Sequence, residues 1–351
     1  MIVLGADMHK SSHTITGVAA TGEMLGDKTS SVGARGFDQV LQWARALGVE
    51  RVWALEDCRH VSGSLERFLI ARGERVVRVP TRLMANSRRA SRERGKSDRI
   101  DALAVARAAL AEGIQTLPTA ELAGPELDIR LLVDHRERLV AQRTALINDL
   151  RWGLHDLWPE YEIPARALIR RGWQERVGGR LARAEQTTRV RIARDELRRV
   201  RELTLAINRL EREITALVAQ IAPQLLTEPG FGPLIAAKLV GEIAGAQRFA
   251  TAAKLARAAG VAPIPASSGN TQRHRLDQGG NRQINAALHR VIVTRARCHQ
   301  HTRDDLDRRR REGKSTREAI RCLKTYLARR DWRLLQPPHP AEQNPHSPSI
   351  S

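Results

Sequence analysis

Between residues 1 and 80 the chain passes through a succession of strand and helix signals that few folds accept. MIVLGAD (1–7) and SHTITGVAAT (12–21) are rich in β-branched and apolar residues, and GEMLGDKTSSV (22–32) is a weaker third strand. ARGFDQVLQWARALG (34–48) carries apolar residues at helical spacing, and VERVWALED (49–57) reads as a buried strand. SGSLERFLIARG (62–73) is a helix opened by Ser62, and ERVVRVP (74–80) is a further strand. Three strands followed by helix–strand–helix–strand is the order of an RNase H-like α/β domain, which by itself implies no chemistry.

The segment KSDRIDALAVARAAL (96–110) sets two aspartates, Asp98 and Asp101, one helical turn apart at the head of a mostly apolar helix. Asp98, Asp101, Val105 and Ala108 share one face, and Ile100, Leu103, Arg107 and Leu110 line another, so the helix is expected to pack on two sides with both carboxylates directed into protein. Carboxylates in that position need a cation, either an arginine or a metal ion. Asp7 ends the first strand and Glu56 ends the strand at 49–57; if these strands are neighbours, both acids emerge at one sheet edge. Asp7, Glu56, Asp98 and Asp101 then form a set of hard oxygen donors suited to Mg²⁺, with Mn²⁺ as a substitute, for phosphodiester chemistry. Singly, each acid could instead cap a helix or pair with a neighbouring arginine, and Asp98 in particular could serve as a helix cap.

The formal net charge of +20, from 59 Lys+Arg against 39 Asp+Glu, points to a polyanionic partner. Basic residues recur along the whole chain, and an aromatic content of 3% argues against base-stacking platforms and for phosphate contact to duplex or folded nucleic acid. Three separated cysteines, Cys58, Cys298 and Cys322, exclude a disulfide framework and a zinc knuckle. No stretch has the length of a membrane span, so the expected location is cytoplasmic, at the nucleoid.

Strand signals stop near residue 126. Val200, Leu203, Ile207, Leu210, Ile214, Leu217 and Ile221 form a heptad seam, and Leu132, Leu139 and Leu146 a weaker one, so the two arms are expected to pair antiparallel. A spacer and an oligomerisation arm are both consistent with this, the second favoured because an exposed apolar seam needs a partner. LLTEPGFGPLIAAKLVGEI (225–243) resembles a helix-hairpin-helix, with Gly230, Gly232 and Lys238 as candidate phosphate contacts; an ordinary tight turn between helices is the equal alternative. ASSGNTQRHRLDQGGNRQINAALHRV (266–291) reads first as a serine–glycine loop beside a phosphate-binding patch of Arg273, His274, Arg275 and Arg282, and second as an activated serine, Ser267 or Ser268. GKS at 313–315 is not a P-loop, since Arg308 stands where the upstream glycine belongs. The expected divisions are 1–120, a helical arm at 121–222, a mainly α module at 223–335 and a disordered tail at 336–351.

GADMHK (5–10), ALED (54–57) and KSDRIDA (96–102), taken with SSG (267–269), RHRLDQGGNRQINAALHRV (273–291) and EGKSTREAIRCLKTYLARRDW (312–332), resemble the DEDD-type transposases of insertion-sequence family one hundred and ten, over about residues 1–335. The resemblance implies a RuvC-like N-terminal domain with Asp7, Glu56, Asp98 and Asp101 as a Mg²⁺-binding tetrad. It also implies a nucleophilic serine that forms a covalent phosphoserine link to DNA. The position before the glycine places that serine at Ser268, with Ser267 second, because the following GNTQRHRL lacks the second glycine of many members. Double-stranded DNA at element ends and target, a structured guide RNA, and a homo-oligomer in which dimers assemble to a tetramer are the implied partners. Two other readings stand beside it: a Holliday-junction-type endonuclease using water, and a non-catalytic architectural nucleic-acid binder.

Overall fold

The computed structural model describes residues 1–56, 63–80, 83–84, 97–117, 119, 124–265, 274–275 and 280–336. Strand β1 (Ile2–Met8) pairs antiparallel with β2 (Ser12–Ala19), matching Val3 to Val18 and Ala6 to Ile15. Strand β3 (Met24–Ser31) adds antiparallel at the edge. After helix α1 (Ala34–Leu47), β4 (Arg51–Glu56) returns parallel to β1; after α2 (Gly63–Ile70), β5 (Val76–Val79) lies parallel to β4. The sheet order β3-β2-β1-β4-β5 is that of an RNase H-like fold, as the succession of sequence signals predicts.

Strand alternation splits the core in two. Leu4, Ala6, Trp53 and Leu55 pack with Phe37, Leu41, Leu65 and Leu69 of α1 and α2. On the other side, Val3, Val52, Ala54 and Val77 pack with Leu103, Val105, Ala106 and Ala109 of α3 (Asp98–Glu112). The unbroken burial of Asp101 to Ala106 explains why this helix is apolar on two sides.

The seat of α3 depends on Gly5. A Cβ at this position would lie 2.2 Å from the Ala102 carbonyl oxygen and 2.5 Å from the Ala106 nitrogen, so the helix backbone occupies the space of a side chain. At the opposite end of the parallel strands, Glu74 accepts from Arg51 and from Trp53 Nε1, the latter at 3.0 Å. Burial alone would raise the Glu74 pKa, but the Arg51 and Trp53 hydrogen bonds and the charges of Arg51 and Arg45 lower it.

Two compact units emerge: Met1–Gly124 with Ile243–Ser351, and Pro125–Glu242. In the second, α4 (Pro125–Leu157) and α6 (Thr188–Ile221) pair antiparallel, with Arg136 on Glu211 and Arg189 on Asp156 marking the register. Val200, Ile207 and Ile214 are buried along the α6 seam, and Leu203, Leu210, Leu217 and Ile221 are partly covered. The seam therefore finds its partner within the chain, on α4, and the apolar argument for a second copy falls away. Beyond the paired arms, α5 (Arg171–Arg183) closes a small head whose core holds Leu150, Leu154, Leu168, Val177, Leu181 and Leu197. Near the base of the arm lie one-turn α7 (Pro223–Leu226) and α8 (Pro233–Ile243).

In the C-terminal part of the first unit, α9 (Ala252–Ala258) is followed by the antiparallel pair β6 (Ile264–Pro265) and β7 (His274–Arg275), then α10 (Arg282–Cys298), α11 (Gln300–Arg311) and α12 (Thr316–Leu334). Side chains tie these pieces together: Lys324 Nζ donates to Asn285 Oδ1 at 2.6 Å, and Asn285 Nδ2 donates to the Gly260 carbonyl at 3.2 Å. The GKS triplet is a helix stop and start. Gly313 has φ +85, and Ser315 caps α12 in a reciprocal capping box with Glu318. Of the expected tail, residues 337–351 lie outside the described residues.

Two outcomes test these contacts. Gly5→Ala is expected to cost about 3 kcal/mol or more in denaturant unfolding, because backbone rather than a flexible side chain must retreat. Glu74→Gln is expected to cost about 3 kcal/mol at neutral pH by leaving the half-buried Arg51 guanidinium without its carboxylate. Since the folded pKa of Glu74 lies below the ordinary glutamate value, its contribution is complete above that ordinary value and fades as pH falls through the folded one. The gap between wild type and Glu74→Gln in pH-dependent melts should accordingly close on the acid side.

Candidate active site

Strand period places Val3, Gly5 and Asp7 of β1, and Val52, Ala54 and Glu56 of β4, on the sheet face that carries α3. Ala6 pairs with Leu55, so Asp7 and Glu56 occupy neighbouring register positions at the C-terminal ends of two parallel strands. The head of α3 arrives at the same place. Ser97 caps it, accepting from the Ile100 nitrogen at 3.3 Å, and Asp98 and Asp101 sit in the first turn, where the helix dipole favours negative charge.

Asp101 is 8% exposed and Asp7 9%, whereas the Asp98 side chain is 55% exposed. The expectation that both aspartates point into protein is corrected for Asp98, which as the first helical residue stands at the rim, ahead of the turn that packs on β1. Its possible capping role is corrected too, since Ser97 performs it.

His9, two residues beyond Asp7, joins the acids. Its Nε2 lies 3.2 Å from Asp7 Oδ2 and 3.2 Å from Asp98 Oδ1. Burial pushes the Asp7 carboxyl above its ordinary value; His9 pulls it back, and the charges of Asp101 and Asp98 push it further up. The Asp7 charge raises the His9 pKa, with a smaller upward contribution from Asp98. Asp7, His9 and Asp98 each offer a ligand atom within 4.8 Å of the others. Two carboxylates bridged by one imidazole, with a third carboxylate close enough to perturb Asp7, form a donor set that fits a divalent cation of hard or borderline character. His9 already holds the bridging position in which a cation would compensate both acids. The four-acid expectation omitted His9, although its i+2 spacing from Asp7 was a usable signal. Glu56 is half-buried next to Asp7 in register and stands outside that three-residue group.

The expected phosphate contacts divide. Lys238 is corrected: it is 8% exposed, and its Nζ lies 2.9 Å from Glu137, 3.4 Å from Asp134 and 3.9 Å from Glu242, so its charge is spent inside the arm. Gly230, with φ +81, and Gly232 form the turn into α8, but the helix before it is only the single turn Pro223–Leu226, short of a two-helix hairpin. Arg282 is exposed in the first turn of α10, which Asn281 caps by accepting from the Gln283 and Ile284 nitrogens. His274 and Arg275 form β7 opposite Pro265 and Ile264. Ser267, Ser268 and Arg273 lie outside the described residues.

Comparison with known proteins follows the same two regions. A DEDD transposase profile of the IS110 type matches residues 4–159, and the profile of the transposase IS116/IS110/IS902 family matches residues 222–307. The chain is 27% identical to an uncharacterized 44.8 kDa protein of insertion element IS116 from Streptomyces clavuligerus, covering 97% of this chain and 98% of that one. It is also 27% identical to an uncharacterized 42 kDa protein of insertion element IS900 from Mycobacterium paratuberculosis, over 79% and 80% of the two chains. Among solved structures, RuvC of T. thermophilus in complex with a Holliday junction substrate aligns with 34% of this chain and 99% of its own, at 15% identity and a TM-score of 0.27.

Asp7→Asn tests the site through stability as well as binding. Removing a desolvated charge beside two other carboxylates should raise the melting temperature of the metal-free protein, while Mn²⁺ affinity by calorimetry should fall at least about 100-fold. A drop in melting temperature with Mn²⁺ binding intact would identify the cluster as a structural ion pair.

Proposed function

Because the chain belongs to the IS110/IS116/IS900 family of insertion-sequence transposases, enzymes of DNA phosphoryl transfer, we propose that it cuts and rejoins DNA strands with a serine nucleophile, Ser268 or else Ser267. The observation that carries the reading is the convergence of Asp7, His9, Asp98 and Asp101 where β1 meets the head of α3. In this proposal Mg²⁺ is held by Asp7, Asp98 and Asp101, with Glu56 from the adjacent strand end. Bound there, it supplies charge neutralisation for a phosphodiester under attack.

The protein's own groups divide the remaining work. Asp7 and Asp98 each approach His9 Nε2 to 3.2 Å, and Asp101 is carried by the buried body of α3. His9, raised in pKa by its acidic neighbours and half-exposed, can carry a proton at Nε2. The serine oxygen attacks a backbone phosphorus, one phosphorus–oxygen bond to deoxyribose breaks, and the serine proton ends on the released sugar hydroxyl. Attack by a hydroxyl of another strand on the phosphoserine reverses these bonds and completes the exchange. Arg273, Arg275 and Arg282, around the same stretch of chain, are the proposed phosphate contacts.

The working division has the acids in 1–120, the arm in 121–222 and the serine in 223–335. Guidance by a structured RNA, action at nucleoid DNA, and dimers assembling to a tetramer complete the proposal as what the family resemblance implies. Among the described residues no helix is long and apolar enough to cross a membrane.

The test is adduct trapping with Mg²⁺, element-end DNA and RNA transcribed from the element's flanks. A covalent protein–DNA band in wild type, lost in Ser268→Ala and in Asp101→Asn, is the expected result. Loss in Ser267→Ala alone would move the nucleophile by one residue. Strand cleavage with no band, insensitive to both serines, would replace the proposal with hydrolysis by water.

A further inference from the structure

The charge of this chain is not evenly spread. Residues 164–201 contain twelve arginines, no lysine and four acidic residues, a net charge of +8 within a molecule whose total is +20. This stretch builds α5 and the first part of α6, which with the end of α4 form the small head of the arm. The head has its own apolar core, so its arginines are presented on a folded scaffold.

On α6, Arg191, Arg194, Arg198 and Arg201 recur at steps of three, four and three, which places them on one face over about 15 Å of helix. They line a groove with Asp195, Leu197 and Gly178, the last from α5. Gly178 lets the Arg201 guanidinium lie close to α5: a Cβ there would be 2.5 Å from Arg201 Nη2 and would displace the end of that side chain. Three of these guanidiniums have neutral partners: Arg191 donates to Thr188 Oγ1, Arg194 to Gln186 Oε1 and Arg201 to the Gln174 carbonyl. Only Arg198 is matched by carboxylates, from Asp195 and Glu202.

We propose that this groove binds the phosphate backbone of double-stranded DNA, giving the arm a grip on duplex separate from the acidic site. Arginine forks match phosphate oxygens in pairs and stay charged at every relevant pH. Three guanidiniums of the row, Arg191, Arg194 and Arg201, keep neutral partners, which suits a polymer carrying one charge per about 1.7 Å of axis. No aromatic residue lines the groove. That favours a duplex, whose bases are already stacked, over single strands that bind by stacking on aromatic side chains. The inference uses the family's handling of DNA and none of the serine or metal chemistry.

The experiment is a fluorescence-anisotropy titration of the full chain with a labelled duplex in EDTA, at several salt concentrations. The double variant Arg191→Gln/Arg194→Gln alters exposed side chains and leaves the head core intact. It should bind about ten-fold more weakly at about 0.1 M salt, with the slope of log K against log salt reduced by about 2. Arg209→Gln/Arg212→Gln, exposed further along α6, removes the same charge outside the groove and should change affinity less than about two-fold. Equal losses in the two pairs, or none in the first, would overturn the proposal. Loss confined to a folded RNA probe, with duplex binding unchanged, would overturn the assignment to DNA. Because metal is absent and no bond is cut, failure of the serine reading would leave this result untouched.

Discussion

The approach of α3 to β1 is the contact on which the candidate site of this protein depends. At Gly5 the strand lacks a side chain, and the Ala102 and Ala106 turn of the helix fills that space. Small residues on both surfaces lower the helix onto the sheet, and the lowering brings Asp101 and Asp98 to Asp7. Close packing makes such an interface intolerant of added volume. A methyl group on the strand would lift the helix and with it two of the acids, although neither glycine nor alanine has chemistry of its own.

The acids gathered by this packing oppose folding to some degree. Burial and two neighbouring carboxylates raise the Asp7 pKa, which means that its ionised form is less favourable here than in an unfolded chain. Glu74, also buried, is in the contrary state: Arg51 and Trp53 satisfy it and hold its pKa down. One sheet thus carries a compensated carboxylate at one end of its parallel strands and an undercompensated cluster at the other. Glu74 is paired with arginine, whereas a half-exposed histidine stands between Asp7 and Asp98, an arrangement that suits a candidate site for a cation and a phosphate.

The arm distributes charge by the same logic. Near its base, Lys238 is surrounded by Asp134, Glu137 and Glu242, and its charge serves the packing of α8 on α4. At the head, Arg191, Arg194 and Arg201 donate to neutral partners, so no carboxylate offsets their charge in these contacts. Basic residues of one formal kind therefore play opposite parts, depending on whether a carboxylate is within reach.

Much of the fold was legible in the sequence because it rests on local periodicity. Alternation over 1–7 and 12–21, the helical spacing of 34–48 and the heptads over 200–221 each declare an element and its buried face, and the succession of elements restricts the sheet order. Strand ends also announced that Asp7 and Glu56 would be neighbours. Beyond that, the outcome turned on distances between segments remote in sequence. Whether Lys238 met phosphate or three acids, whether the α6 seam needed another molecule or found α4, and whether Asp98 lay inside or at the rim were decided by packing. His9 shows the boundary most clearly: its spacing from Asp7 was written in the chain, but its role as a bridge arose only when α3 delivered Asp98 to within 3.2 Å. The sequence by itself determined elements, faces and the supply of charge, because those depend on neighbours along the chain. Only the tertiary structure decided which charges compensate one another, because that depends on a few ångströms set by side-chain volume at contacts such as Gly5.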